Sequence, residues 1–365
     1  MGLLGISIYP EHSTLEKDKA YLDLAAKYGF KRVFTCLLSV DKPKEEVKNE
    51  FKELIGHAND LGMEVIVDVA PSVFDKLGIT YDDLSFFKEI GAAGFRLDEG
   101  FNGAVEARMT YNPEGLKIEL NAGDTTYYID QIMANLPDVS KLISCHNFYP
   151  QRYTGVGEAR LRESSMKMKK YGIKVAAFVS SQAENTYGPW DVYEGLCTLE
   201  AHRDLPIDAQ ARHLFATGYI DDVIIANAYA TEEELKSLSE IDQKKLTLGI
   251  VLNEGLCETE KTIIFDYPNN VRGDMSEYMA RSTMPRVVYK DESIKPHHNT
   301  TDLKRGDVVI LNDLYGHYKG ELHIILQDMP ADERKNIVGH IPEYEMCMMQ
   351  FVLPRVKFKF KEVKE

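Results

Sequence analysis

Side chains able to do acid–base or sugar-binding chemistry gather at the ends of short apolar runs. The runs end in Ser7 and Tyr9, in Asp68, in Asp98, in Asn121, in His146, Asn147 and Tyr149, in Ser180, Ser181 and Gln182, and in Asn227. Glu119 lies within one run. A long connection after Ser180 adds Trp190, the single tryptophan, and then Glu200, His202 and Arg203 in close succession. Asp68, Asp98, Glu119 and Glu200 are candidates for general acid–base work. An aromatic ring beside carboxylates suits a sugar. Asp68, Asp98, Asn121 and His146 could also ring a divalent ion. No HxxxH or HxH motif accompanies them, and no metal is expected.

These groups need a scaffold that brings strand ends together. Strands are expected at Leu3 to Tyr9, Arg32 to Ser39, Met63 to Ala70, Gly94 to Asp98, Leu116 to Asn121, Leu142 to Tyr149, Ile173 to Ser180 and Asp222 to Asn227. Helices alternate with them. One opens on a capping box from Ser13 to Glu16, and others span Glu45 to Asn59, Asp82 to Ile90, Thr125 to Leu136, Glu158 to Tyr171 and Asp208 to Thr217. A second capping box, Thr231 to Glu234, opens the last. Eight strand–helix units in this order predict an α/β chain built on a (β/α)8 TIM-type barrel over residues 1–245. An open doubly wound sheet lacks the GxGxxG that would follow its first strand. In a barrel the strand ends form one face, and that face carries the chemistry. After Lys245 the pattern becomes short β runs: Leu246 to Leu252, Thr262 to Phe265, Arg286 to Tyr289, Asp307 to Leu311, Glu321 to Leu326 and Val356 to Val363. Residues 246–365 are therefore expected to form a small antiparallel β-barrel or sandwich.

Alternation sorts the inward residues. Phe95 and Leu97 must face the helices, so Arg96 and Asp98 point into the barrel. Likewise Ile118 and Leu120 face out, and Lys117, Glu119 and Asn121 face in. Neighbouring strands then allow Arg96 to pair with Glu119. Asp221 and Asp222 precede the eighth strand, at the opposite face, and read as turn and cap residues.

Composition excludes several function classes. With 43 Lys plus Arg against 58 Asp plus Glu, the net charge is −15, which disfavours nucleic acid and anionic lipid. Five cysteines without a CxxC argue against a disulfide framework. No apolar run reaches the ~20 residues of a membrane span, and the N-terminus lacks a secretory pattern, so a cytoplasmic protein is expected.

Several motifs in order carry a resemblance. They are Asp68-Val69-Ala70-Pro71, Arg96 to Phe101, Asn147-Phe148-Tyr149-Pro150 with Thr154-Gly155, Thr198 to Arg203, and Asp221 to Ile225. Arg272-Gly273-Asp274, Arg281-Ser282-Thr283 and Tyr315 to Leu322 extend it past residue 246. Together they resemble the bacterial 6-phospho-N-acetylmuramidases, glycoside hydrolase family 170, over nearly the whole chain. The resemblance implies a (β/α)8 barrel followed by a cyclophilin-like β-barrel domain. It implies cleavage of N-acetylmuramic acid 6-phosphate–N-acetylglucosamine in cell-wall recycling, with a small phosphorylated disaccharide as the partner and no cofactor. Cys197 and Asn227 depart from the family pattern, which has Pro and Asp there. Glycoside hydrolysis uses two carboxyls. Asp98 with Glu200 is the first pair, and Asp68 and Glu119 are the reserves. Tyr9, Arg96, Asn121, His146, Asn147, Tyr149 and His202 would contact substrate. The phosphate and lactyl carboxylate call for forked cations, with Arg152, Arg203, Arg272 and Arg281 as candidates. The last two would bring the second domain to the phosphate. A phosphosugar-binding protein without turnover and a metal-assisted aldolase or epimerase are the competing classes. Lys117 and Lys174 lie too near the strand starts for a Schiff base.

Overall fold

The computed structural model describes residues 2–37, 43–123, 126–192 and 194–364. The expected ends at Ser39 and Thr125 fall outside them. The chain divides into two compact units, Met1–Glu240 and Ile241–Glu365.

In the first unit eight parallel strands close into a barrel. They are β1 (Leu4–Ile8), β2 (Arg32–Cys36), β3 (Glu64–Val69), β4 (Gly94–Leu97), β5 (Lys117–Asn121), β6 (Leu142–Cys145), β7 (Lys174–Val179) and β8 (Asp222–Ile225). The last strand returns to the first, with Leu4 opposite Val223. Helices α1 (Leu15–Lys27), α2 (Lys44–Asp60), α3 (Pro71–Leu77), α4 (Ser85–Glu89), α5 (Ala104–Met109), α6 (Tyr128–Ala134), α7 (Glu158–Lys170), α8 (Ile207–Ala216) and α9 (Glu232–Ser239) follow the strands. Outward strand residues such as Val65, Val67, Phe95, Leu97, Ile118 and Leu120 are fully buried. Burying such side chains contributes roughly 1.5–3 kcal/mol each. Parity then turns the polar alternates into the lumen.

The first helix is capped one residue later than expected. Thr14 accepts the Lys17 N–H at 3.4 Å, while the Ser13 hydroxyl bonds Tyr229. The second capping box forms as expected, with Glu234 N–H donating to Thr231 Oγ1 at 3.2 Å and Thr231 N–H to Glu234 Oε2 at 3.0 Å. Glu234 also accepts from Ser181 Oγ at 2.6 Å and from the Gln182 N–H at 2.9 Å, which ties the end of β7 to α9.

The second unit holds a six-stranded sheet. Its strands are β9 (Leu246–Leu252), β10 (Met279–Ser282), β11 (Asp307–Leu311), β12 (Leu322–Ile325), β13 (Lys335–His340) and β14 (Phe358–Glu362), in the order β10-β12-β11-β13-β9-β14. The sheet is mixed: β14 runs parallel to β9, with Phe358 opposite Leu246. Period-two alternation reports a wet and a dry face but not strand direction. Two expected β runs are helical, in α10 (Glu258–Phe265) and α11 (Pro285–Val288). The Cys257 N–H donates to Glu260 Oε2 at 2.9 Å and starts α10. Pro285 stands in the first turn of α11. Short apolar runs do not separate strand from buried helix.

Candidate active site

Two tiers of charge occupy the barrel lumen. In the lower tier Arg32 on β2 bonds Glu119 on β5, and its Nη1 lies 3.2 Å from Asp222 Oδ2 on β8. Strands β3 and β4 stand between β2 and β5, so the Arg32–Glu119 bond crosses the lumen. All three side chains are buried. The expected Arg96–Glu119 pair does not form, although the two residues are opposite in register. Arg96 turns instead toward the strand ends, and Glu119 is taken by Arg32. Asp222, at the start of its strand, also accepts the Leu3 N–H at 2.7 Å, in keeping with a structural role.

The upper tier lies at the C-terminal ends of the strands. Arg96 Nη1 donates to Asp68 Oδ1 at 2.6 Å and to Asp98 Oδ1 at 3.0 Å, and its Nη2 bonds Asn147 Oδ1. Asp68 is one residue from the end of β3 and opposite Arg96 in register. Asp98 follows β4, fixed by its N–H on the Val69 carbonyl at 3.0 Å. The Asp68 carboxylate is 5% exposed and that of Asp98 37%. Burial pushes the Asp68 carboxyl up to about 7, with Arg96 opposing and Asp98 reinforcing the shift. One guanidinium serves two carboxylates, so this tier retains a proton close to neutral pH. Sharing Nη1 also keeps the two bonded oxygens within about 6 Å. That matches the ~5 Å spacing of retaining glycosidases better than the ~6.5–9.5 Å of inverting ones.

Amides surround the pair. Asn121 Nδ2 donates to the Asp98 carbonyl at 3.1 Å, and its Oδ1 accepts the Gly123 N–H at 2.9 Å. A Cβ at Gly123 would lie 3.1 Å from Asn121 Oδ1 and 3.9 Å from both Asn147 Nδ2 and the Tyr149 hydroxyl, so these side chains converge there. Trp190, 42% exposed, has its ring 5.9 Å from that of Phe148, which packs on Phe34 and Phe178 in the lumen.

The other candidates have structural partners. Glu200, first choice for the second carboxyl, is gripped by Arg203 at 2.6 and 2.7 Å and accepts the N–H groups of Tyr153 and Gly155 at 2.8 Å. Those bonds pull it down to about 2, which leaves no proton to donate. A side chain at Gly155 would come within 2.7 Å of the Glu200 carboxylate, so this approach needs glycine. Arg203 also donates to the carbonyls of Tyr149, Glu194 and Gly195 and braces the loop. Arg152 is forked onto Asp204 at 2.7 and 2.9 Å. His146 lies on the outward parity of β6, since Cys145 belongs to the lumen cluster with Tyr9 and Phe178. Its Nε2 meets Ser165 Oγ of α7 at 2.8 Å, and burial drives its pKa to about 3. His202 Nε2 pairs with His213 Nδ1 at 2.7 Å, buried. Tyr9 is buried in the lumen with its hydroxyl on the Ala226 carbonyl at 2.5 Å. Glu200, Arg203, Arg152, His146, His202 and Tyr9 are thus each held by a partner within the barrel unit. In the second unit Arg272 Nε and Arg281 Nη2 lie 2.5 and 3.6 Å from one carboxylate, Asp274. With His146 turned outward, the Asp68, Asp98, Asn121 and His146 ring is not assembled. Among the described residues no group of three His, Cys, Asp or Glu side chains is arranged to hold a metal.

A cleft of about 600 Å3 opens among the segments that follow β6, β7 and β8, and neither Asp68 nor Asp98 lines it. Ser181, Gln182, Asn185 and Tyr187 line it with Asn227, Arg152 and Arg203. Asn185 and Tyr187 carry no motif that singles them out; the length of their connection was the only signal. Asn227 clamps Ser181 from both sides, accepting its N–H at 2.7 Å and donating to its carbonyl at 3.0 Å.

Residues 4–240 match the N-terminal domain of 6-phospho-N-acetylmuramidase, and residues 246–361 match its C-terminal domain. The chain is 51% identical to an uncharacterized B. cereus protein of known crystal structure, with 99% of each chain covered and a TM-score of 0.91. A conserved Enterococcus faecalis protein with an unknown function is 25% identical, with 99% of this chain and 96% of that one covered and a TM-score of 0.74. No curated protein matches.

Proposed function

The chain belongs to the 6-phospho-N-acetylmuramidase family, and on that premise we propose that it hydrolyses the bond joining N-acetylmuramic acid 6-phosphate to N-acetylglucosamine, as a step of cell-wall recycling in the cytoplasm. The observation that carries this reading is the sharing of Arg96 Nη1 by Asp68 and Asp98. One buried acid that keeps a proton near neutral pH and one carboxylate open to solvent are the two roles glycoside hydrolysis divides between its carboxyls.

Asp68 is the proton donor. It protonates the glycosidic oxygen as that bond breaks and receives a proton from the incoming water in the second half of the reaction. Asp98 is the carboxylate that meets the anomeric centre. It either attacks C1 itself or holds the 2-acetamido oxygen for that attack, and both routes return the configuration of the starting sugar. Arg96 is the positioning residue. It holds both carboxyls and Asn147. Asn121, Asn147 and Tyr149 offer donors and acceptors to sugar hydroxyls, and Trp190 a ring face.

Mass spectrometry of the purified protein incubated with the 6-phosphorylated disaccharide, and separately with its unphosphorylated form, tests the proposal. Cleavage of the phosphorylated sugar alone is the expected result. No cleavage of either by the folded protein would overturn it.

A further inference from the structure

The second-unit motifs that the barrel chemistry leaves unused meet at one end of one sheet face. Arg281 on β10 stands opposite His323 on β12, and the Arg272 N–H donates to the Arg281 carbonyl at 2.8 Å. In the next row the Leu311 N–H donates to the Glu321 carbonyl at 3.0 Å, and Leu311 is in register with Lys335 on β13. Alternation puts Arg281, His323, Glu321 and Lys335 on the same face. The other end of that face is apolar, built from Val309, Ile325 and Leu303.

Charge at this end is unbalanced. Glu321 is neutralised by Arg286 at 2.5 Å. Arg272 and Arg281 share the single carboxylate of Asp274. Lys335, only 10% exposed, has Asp332 at 3.8 Å, an acid that Arg334 holds more closely at 2.8 Å. Arg272, Arg281, Arg286, Arg334 and Lys335 thus share three ion-pair partners, Asp274, Glu321 and Asp332, in a chain of net charge −15. The His323 side chain is 6% exposed. Its Nε2 meets Glu321 Oε2 at 3.0 Å, while its Nδ1 is buried without a hydrogen-bond partner. A neutral ring that donates from Nε2 leaves a bare lone pair at Nδ1, and protonation makes that atom a donor.

We propose that this end of the sheet binds a phosphomonoester-type dianion, held by Arg281 and Lys335 and by His323, which takes up a proton as the anion arrives. The proposal does not rest on the reaction assigned to the barrel. The groups that act on His323 are Glu321 just before β12, Arg281 on β10 and Lys335 on β13. Arg286 and Asp274 partner the first two, and Asp332 with Arg334 the third. Burial comes first and, with the two cations, holds the ring neutral in the empty site, against the pull of Glu321. A dianion would cancel the two cations and give Nδ1–H an acceptor. Two fixed charges plus one induced donor suit a dianion better than a single carboxylate.

Sulfate, a dianion that does not titrate near neutrality, is the probe. Calorimetric titration of the full chain at constant ionic strength should give an affinity that falls by about tenfold from pH 6 to pH 7, with one proton taken up per sulfate. Arg281→Gln should weaken binding at both pH values and keep the slope, and His323→Gln should flatten the slope. If His323→Gln fails to fold, Arg281→Gln and the proton count decide. Inorganic phosphate and glucose 6-phosphate then separate sources: equal affinity indicates free phosphate, and tighter binding of the ester a sugar phosphate. Asp98→Asn should leave sulfate binding intact, so a failed hydrolysis assay and a failed anion site are distinguishable. Absence of sulfate binding, binding without pH dependence, or binding indifferent to Arg281→Gln would each overturn the proposal.

Discussion

Asp68 and Asp98 reach the same nitrogen, Nη1 of Arg96, at 2.6 and 3.0 Å, from the ends of adjacent strands. Either carboxyl alone would form an ordinary ion pair with this arginine. Together they make a site with one charge too few, whose missing charge is a proton. We expect Asp98→Asn and Asp68→Asn each to lower kcat on the phosphorylated disaccharide by about 10²–10⁴-fold. Asp98→Asn should leave KM within a few-fold, because the amide keeps the shape of the site. Near-normal turnover in a folded Asp98→Asn protein would remove Asp98 from the chemistry.

The pH dependence has a definite sign. Asp68 is held up at about 7, so its proton is present below that pH and lost above it. As the proton donor it predicts kcat/KM falling about tenfold per pH unit above roughly pH 7. Asp68→Asn should erase that limb in whatever activity remains. An alkaline limb unchanged by the substitution would assign the titration to another group.

Retention of configuration follows from the spacing of the pair. Proton NMR of the reaction in its first minutes should show the released N-acetylmuramic acid 6-phosphate in the β configuration of the starting bond, before mutarotation. An α product would mean that the carboxyls stand farther apart in the working enzyme and that water attacks directly.

Glu200 separates the two pairings of carboxylates. Its bonds to Arg203, Tyr153 and Gly155 make it a brace of the long loop, so Glu200→Gln should cost about 1–3 kcal/mol of stability and leave turnover within a few-fold. Because its folded pKa is depressed to about 2 from an ordinary 4.5, its contribution is present above pH 4.5 and fades as pH falls through that range. Urea denaturation of both proteins at several pH values should show the stability gap closing on acidification. A loss of turnover as large as that of Asp98→Asn would return Glu200 to the catalytic pair.

The sequence made the inward direction of Arg96 and Asp98 legible, because Phe95 and Leu97 had to meet helices and parity left the others no choice. It could not say which acid Arg96 would take. Asp68 and Glu119 are both its neighbours in register, and that choice depends on how Arg32 fills the lumen from two strands away. Glu200, His202 and Arg203 were visible as a cluster, but their partners come from the β6 loop and α8, which no local pattern reports. His146 was misplaced because the sixth strand stops at Cys145 and leaves its outward side chain beside α7. In the second unit, Thr262 to Phe265 is rich in β-branched and aromatic residues, and the Glu260 cap overrides that preference.

The lower tier supplies the last prediction. Arg32 is the cation that both Glu119 and Asp222 engage, and all three are buried. Arg32→Met would leave two acids in the lumen without it, and such an uncompensated removal typically costs about 3–5 kcal/mol. The loss should shrink when Glu119→Gln is added, since one of the stranded charges is then gone. Denaturation of the two single variants and the double variant gives the coupling directly. Strictly additive losses would mean that Arg32 and Glu119 do not depend on one another, and that the floor of the barrel is held by packing alone.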